Sequence, residues 1–213
     1  MIEYGTTDEL IEHLFTLTDG ASVFIEVGAC LAEFSRRVAA ERPWSDVIAL
    51  EANPYNWRAY AESMPSGVDY INAAACDVDG PVPFRIMSVV KGAHLNQVAG
   101  NNSLRTRADD GIEYEVAEVP GLRVDTLLSD RGLTGQPCVL WVDVEGAQDT
   151  VIAGATRALG DCVALMIEVE EHPYWSGQRL ADDVDEMLRA LGMVAIARDR
   201  EFPLQHNRLY VRA

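Results

Sequence analysis

The stretch Val23-Phe-Ile-Glu-Val-Gly-Ala-Cys30 decides how the chain is read. A short apolar run of strand character ends on a glycine. Leu31–Arg42 then follows with helical periodicity and stops before Pro43. Strand, tight turn and helix form the first half of a βαβ unit. Gly28 has no Cβ, so a ligand can approach the backbone of that turn closely. A dinucleotide fingerprint asks for three glycines, whereas Gly28 is followed by Ala29, Cys30 and Leu31. The looser loop suits a ligand without a pyrophosphate. Glu26, just before it, could meet an ammonium group.

Outward from this unit, apolar β-branched runs alternate with helix-period segments, the pattern of a parallel sheet covered by helices on both faces. Residues 7–18 predict a leading helix with Leu10, Ile11, Leu14 and Leu17 on one side. Strands are expected at Asp46–Glu51 and Val68–Ala73, with Pro54 opening a helix over 54–63. Farther on, Cys138–Asp143 and Val163–Val169 are strands. Val124–Asp130, Thr150–Leu159 and Arg179–Leu191 are helices. Met193–Arg198 and Arg208–Val211 form a closing antiparallel pair. Between these regular parts, about 82–120 is an inserted cap or lid: strands Val82–Ser88 and Tyr114–Val119 enclose a Gly/Asn-rich stretch, 91–103. The expectation is one domain over 1–213: a Rossmann-like α/β fold with a mostly parallel seven-stranded sheet whose final strand is antiparallel.

Composition narrows the partners. The 213 residues are 48% hydrophobic and 24% charged, ordinary for a globular domain. No run approaches the ~18 apolar residues of a membrane span, and the acidic N-terminus lacks the basic region of a signal peptide. The expected location is the cytoplasm. A net charge of −17 repels polyphosphates, which argues against nucleic acid and for a neutral small molecule such as a saccharide hydroxyl. Homo-oligomerisation stays open. Cys30, Cys76, Cys138 and Cys162 lack metal or CxxC spacing and read as reduced, mostly buried thiols.

Glu51, Asp143 and Glu168 all fall at carboxyl ends of expected parallel strands, the edge where open α/β sheets bind ligands. An acid at the position of Glu51 accepts the ribose hydroxyls of an adenosine cofactor. Asp143 and Glu145 would share a face if their strand continues. They could then deprotonate a hydroxyl or hold a hard divalent ion; the plainer reading is that Asp143 caps the next helix. His172, in Val169-Glu-Glu-His-Pro173, is a candidate base, and Asp143, Glu168 and His172 are a candidate Mg²⁺ set. His94 is a further base candidate under the lid, against an exposed loop histidine. Asn102 and Ser103 are candidates for holding a carboxylate or substrate. The ribose acid also fits a nicotinamide-dependent oxidoreductase, and a non-catalytic Rossmann-like protein is the third reading.

Four ordered blocks add a resemblance. Glu26-Val-Gly-Ala29, Glu51-Ala-Asn-Pro54, Asn72-Ala-Ala74 with Asp79-Gly80, and Val124-Asp-Thr-Leu127 with Trp141-Val-Asp-Val-Glu-Gly-Ala147 are similar to the motifs of the FkbM methyltransferases; Asn102-Ser-Leu104 is similar to an upstream element. The likeness covers about residues 22–170. It implies a class I methyltransferase fold, S-adenosylmethionine as cofactor, and O-methylation of a sugar or similar small molecule. It puts the cofactor against Glu26, Gly28, Ala29, Glu51, Ala52, Asn53, Ala74, Ser103 and Asp143. Glu26 stands where many relatives have Asp, Cys30 where they have Asn, and Ala32 where a second glycine is common.

Overall fold

A computed structural model describes residues 1–213. The strands are β1 (Ile2–Glu3), β2 (Val23–Val27), β3 (Asp46–Glu51), β4 (Val68–Asn72), β5 (Ala74–Ala75), β6 (Gly80–Val90), β7 (Ala93–His94), β8 (Ile112–Leu122), β9 (Cys138–Val142), β10 (Cys162–Glu170), β11 (Met193–Arg198) and β12 (Gln205–Arg212). The helices are α1 (Thr7–Leu17), α2 (Glu33–Glu41), α3 (Pro54–Tyr60), α4 (Val124–Asp130), α5 (Gln148–Gly154), α6 (Ala158–Asp161) and α7 (Ala181–Ala190).

The main sheet runs β1-β11-β12-β10-β9-β2-β3-β4. Strands β4, β3, β2, β9 and β10 are mutually parallel, and β12 is antiparallel to both neighbours, β10 and β11. This is the Rossmann-like arrangement that the alternation of strands and helices predicts. The two-residue β1, which periodicity is too short to signal, adds an eighth strand at the β11 edge. Within each strand the side chains alternate between two cores. Val23, Ile25 and Val27 of β2 face a cluster with Val124, Ile152, Leu159, Val184 and Leu188 from α4–α7. Phe24 faces the other cluster, with Leu10, Leu14, Phe34 and Val38 from α1 and α2.

Local chemistry sets the helix ends. Thr6 caps α1: its hydroxyl accepts from the Glu9 N–H at 3.3 Å while the Glu9 carboxylate accepts from the N–H groups of Gly5 and Thr6. Asn53 caps α3 through Tyr55 N–H at 2.9 Å, with Pro54 in the first turn. The helix expected over Thr150–Leu159 is two short helices, α5 and α6. The break holds Asp125, whose carboxylate accepts from Arg157 N–H and Ala158 N–H at 3.0 and 2.9 Å.

The inserted region is a second sheet, β5-β8-β6-β7, with β6 and β8 antiparallel over almost their full length. Phe84, Ile86 and Val119 of that sheet pack on Ala74, Ala52 and Tyr55, so the insert leans on the entrance to α3.

Gly154 ends α5 against the turn after β5, and a Cβ there would overlap the backbone carbonyl of Cys76. Gly154→Ala would gain up to about 1 kcal/mol of helix propensity, but forcing α5 off that turn costs about 1–3 kcal/mol. The clash is expected to win and lower the urea midpoint. A midpoint at or above the parent value would show that α5 is not held there.

Candidate functional site

The sheet order reverses between β2 and β9, where the chain leaves the centre in opposite directions and a crevice must open at the carboxyl ends. Gly28 takes φ +79, a left-handed conformation that favours glycine. Its N–H and that of Ala29 both donate to the Leu50 carbonyl, at 2.9 and 3.0 Å, and Asp143 N–H donates to Val27 O at 2.9 Å. A Cβ on Gly28 would overlap the Asp143 carbonyl oxygen. The two loops therefore meet backbone to backbone. Beside them lies a cleft of about 310 Å³ whose walls include Gly28, Glu51, Ala74, Ser103, Asp143 and Glu168.

Glu51 ends β3 inside this cleft. One carboxylate oxygen accepts from Cys30 N–H at 2.7 Å; the other accepts from Asn53 N–H at 2.6 Å and from the Asn56 amide at 3.4 Å. Burial outweighs these bonds and raises its pKa to about 7. Cys30 (φ +44) and Ala32 (φ +53) are left-handed without being glycine, so α2 starts at Glu33, later than periodicity predicts. The Tyr70 hydroxyl steadies the bend by donating to Cys30 O at 2.5 Å. Asn56, which sequence reasoning missed, is buried beside Glu51 with its Oδ1 unpartnered. Its only sequence signal is its place one helical turn after the Asn53 cap.

A strap from the insert closes the opposite wall. Asn53 and Asn56 donate side-chain amides to the carbonyls of Gln97 and Ala99, at 2.8 and 3.0 Å. Asn102 Oδ1 accepts from Met87 N–H at 2.9 Å, and the Ser103 hydroxyl donates to the Glu145 carbonyl. Ala99–Leu104 thus lines the cleft.

The third wall is acidic. Strand β9 ends at Val142, so Asp143 and Glu145 do not share a strand face as expected. Both reach the cleft from the following loop, which turns at Gly146 (φ +71) against the Trp175 ring. Asp143 is ringed by protein yet opens onto the cleft, and lost hydration raises its pKa. Glu168 is raised too, by burial first and then by the charges of Asp143 and Glu145. The two carboxyls line the same cleft, and Glu168 favours the charged form of Asp143. Asp143 and Glu168 therefore titrate as an interacting pair, both shifted toward the neutral form. Gln205 donates to Glu168 at 2.7 Å. Glu145 accepts from the Trp175 indole at 3.2 Å and is raised to about 7, and Glu170 behind it to about 8, both chiefly by burial.

Several expected residues stand elsewhere. Glu26 does not line the cleft: the alternation of β2 turns it under α2, where it accepts from Ser35 N–H at 2.8 Å, and burial raises it to about 7. Ala29 and Asn53 also lie outside the lining. Ala29 packs in the α1–α2 core, and Asn53 shapes the wall indirectly through its cap and strap bonds. His94 is exposed on β7, because only the end of its loop reaches the cleft. His172 is exposed beyond β10, edge-on to Tyr174 at 4.9 Å. The expected Mg²⁺ set of Asp143, Glu168 and His172 is not assembled: the histidine is turned away, and no three His, Cys, Asp or Glu side chains converge as metal ligands anywhere in the chain.

The raised carboxyls predict an unusual pH response. In the unfolded chain a glutamate ionises near 4.5, whereas Glu26, Glu51 and Glu145 hold their protons to about 7 and Glu170 to about 8. Between those values the native state binds more protons than the unfolded one. Their stabilising contribution is therefore complete below 4.5 and is lost as pH rises through 7 and 8. Calorimetric Tm, measured without added ligand, is expected to fall from pH 5 to 8, with a shallower slope in Glu26→Gln. A Tm that climbs over this interval would contradict the burial argument.

Comparison with known proteins agrees with this geometry. The methyltransferase FkbM domain matches residues 26–195. The search of curated proteins returned no significant match. Among solved structures, a Listeria monocytogenes protein assigned as an S-adenosylmethionine-dependent methyltransferase superposes with TM-score 0.53 at 6% identity, covering 98% of this chain and 100% of that one. The N-terminal domain of EvdMO1 with SAH bound superposes with TM-score 0.50 at 11% identity, covering 96% and 80%. A pericyclic reaction enzyme aligns at 11% identity and TM-score 0.43 over 92% of this chain, which spans 44% of that enzyme's length. The domain match extends from Glu26 at the first strand, past the cleft acids, to Ala195 in β11, and replaces the nicotinamide reading that the ribose acid had left open. The chain belongs to the FkbM family of S-adenosylmethionine-dependent methyltransferases.

Proposed function

We propose that this protein moves a methyl group from S-adenosylmethionine to a hydroxyl of a saccharide or similar small molecule. The observation that carries the reading is the Asp143–Glu168 carboxyl pair, set in the same cleft as Glu51.

The cleft residues fit the cofactor. Glu51, in the cleft wall, offers acceptors for ribose hydroxyls, and Asn56 steadies it from behind. Ala73–Ala75, Phe84 and Leu104 offer apolar surface for the adenine, and the Gly28 turn leaves room for close approach. When bound, the cofactor supplies an electrophilic sulfonium methyl. A hydroxyl must lose its proton as it attacks. Asp143 is the acceptor for that proton, and the Glu168 carboxyl stands beside it in the cleft wall. Histidine chemistry is not called upon, since His94 and His172 both stand away from the cleft. The strap excludes water from one side, which strengthens the electrostatics inside.

S-adenosylhomocysteine is expected to bind the purified chain in calorimetry. Glu51→Ala should weaken that binding at least tenfold. Asp143→Asn should lower methyl transfer to the saccharide acceptor about 10²–10⁴-fold, the usual worth of a positioned base, with S-adenosylhomocysteine affinity within about threefold. Full transfer by Asp143→Asn would remove the base from the proposal; no binding by the well-folded parent would remove the cofactor. A screen of mono- and oligosaccharides identifies the acceptor.

A further inference from the structure

The cleft has a second arm. Between the start of α1, the first turn of α2 and the segment joining β11 to β12 lies a chamber of about 500 Å³. Asp143, Glu168, Phe202 and Gln205 line both it and the cofactor cleft, so the carboxyl pair stands at their junction. We propose that this chamber is the acceptor site and that it takes a polyhydroxylated small molecule carrying a protonated amine. The proposal rests on the cleft being the cofactor site and deepens the reading above.

Position argues first. A molecule in the chamber meets the shared carboxyls at one end, which is where a hydroxyl must lie to face the cofactor and lose its proton. Of the four principal cavities, this is the one that shares that pair with the cleft.

Wall chemistry then selects the class. The far wall carries the carboxylates of Asp8, Glu33 and Glu201. Of the two basic residues there, Arg37 is already committed to Glu12 and Glu41, at 2.7 and 2.8 Å. His206 has its pKa lowered by burial and by Arg208, and its ring accepts from Arg208 Nε at 2.9 Å. No unspent cation balances the three acids, so an ammonium group is favoured and a phosphate repelled.

The remaining surface suits a sugar-like ring. Phe34 and Trp141 meet edge to face at 5.0 Å in the wall, and Phe202, 58% exposed, stands at the rim shared with the cleft. Glu201 fixes the rim by accepting from the Thr7 N–H and hydroxyl at 3.1 and 3.0 Å, which ties the β11–β12 segment to α1.

Three probes of one skeleton test this: glucosamine, glucose and glucose 6-phosphate, titrated into the protein saturated with S-adenosylhomocysteine. Glucosamine is expected to bind at least tenfold tighter than glucose, and glucose 6-phosphate weakest. The glucosamine advantage should fall to within about twofold in Asp8→Asn/Glu33→Gln, a variant whose S-adenosylhomocysteine affinity stays at the parent value and so reports an intact fold. Equal or tighter binding of glucose, an advantage that survives the double substitution, or no binding of any probe overturns the inference. Each of those results, obtained with S-adenosylhomocysteine still bound, leaves the cofactor reading standing; failure of S-adenosylhomocysteine to bind the parent overturns both.

Discussion

Gly28 and Asp143 touch through their backbones at the centre of the sheet, and the rest of the site is arranged around that contact. A side chain at Gly28 would occupy the space of the Asp143 carbonyl oxygen. Without one, the loops after β2 and β9 close together, and the ladder carries on past the strand ends through Asp143 N–H and Val27 O. The first loop aims Cys30 N–H at Glu51; the second carries Asp143 and Glu145 into the same cleft. Moving either loop outward would separate the ribose-side acid from the acidic pair, although the strands beneath could remain as they are.

Charge is the second organising fact. Six carboxyls in and around the cleft walls, Glu26, Glu51, Asp143, Glu145, Glu168 and Glu170, are all shifted toward the neutral form, with lost hydration as the largest cause in each. Burying so many acids without matching cations is costly to stability. Shifting these groups toward the neutral form lowers that cost, and Asp143 stands in the cleft where a proton acceptor is useful. The acidity continues into the second chamber, so cofactor cleft and chamber form one field of a single sign.

The insert makes that edge of the sheet a closed site. The antiparallel β6 and β8 would be an ordinary hairpin if they did not bring the strap between them down onto α3. Asparagine amides from Asn53 and Asn56 hold its carbonyls, and Ser103 ties it to the loop that bears Glu145. Strap, helix cap and acidic loop are consequently linked by hydrogen bonds, with the cofactor cleft between them.

The sequence by itself determined the alternation of strands and helices, because burial on both faces of a parallel sheet demands apolar runs of strand length separated by amphipathic helices. Val23–Val27, Asp46–Glu51, Val124–Asp130 and Met193–Arg198 are legible to the residue. Acids at strand ends were legible for the same reason: the end of an apolar run marks the sheet edge, and Glu51, Asp143 and Glu168 lie in the cleft there. Which side chains turn into the cleft was decided only by tertiary structure. Glu26 is one strand position from the glycine turn, yet pleat alternation puts it under α2; His94 and His172 sit in suggestive loops that lead away from the cleft. Phe202 and Gln205 carry no local signal and Asn56 only its place one turn after the Asn53 cap, since their roles come from contacts with chain segments far away in sequence. Local periodicity reports which face of an element is buried; only the packing of distant segments fixes what that face meets.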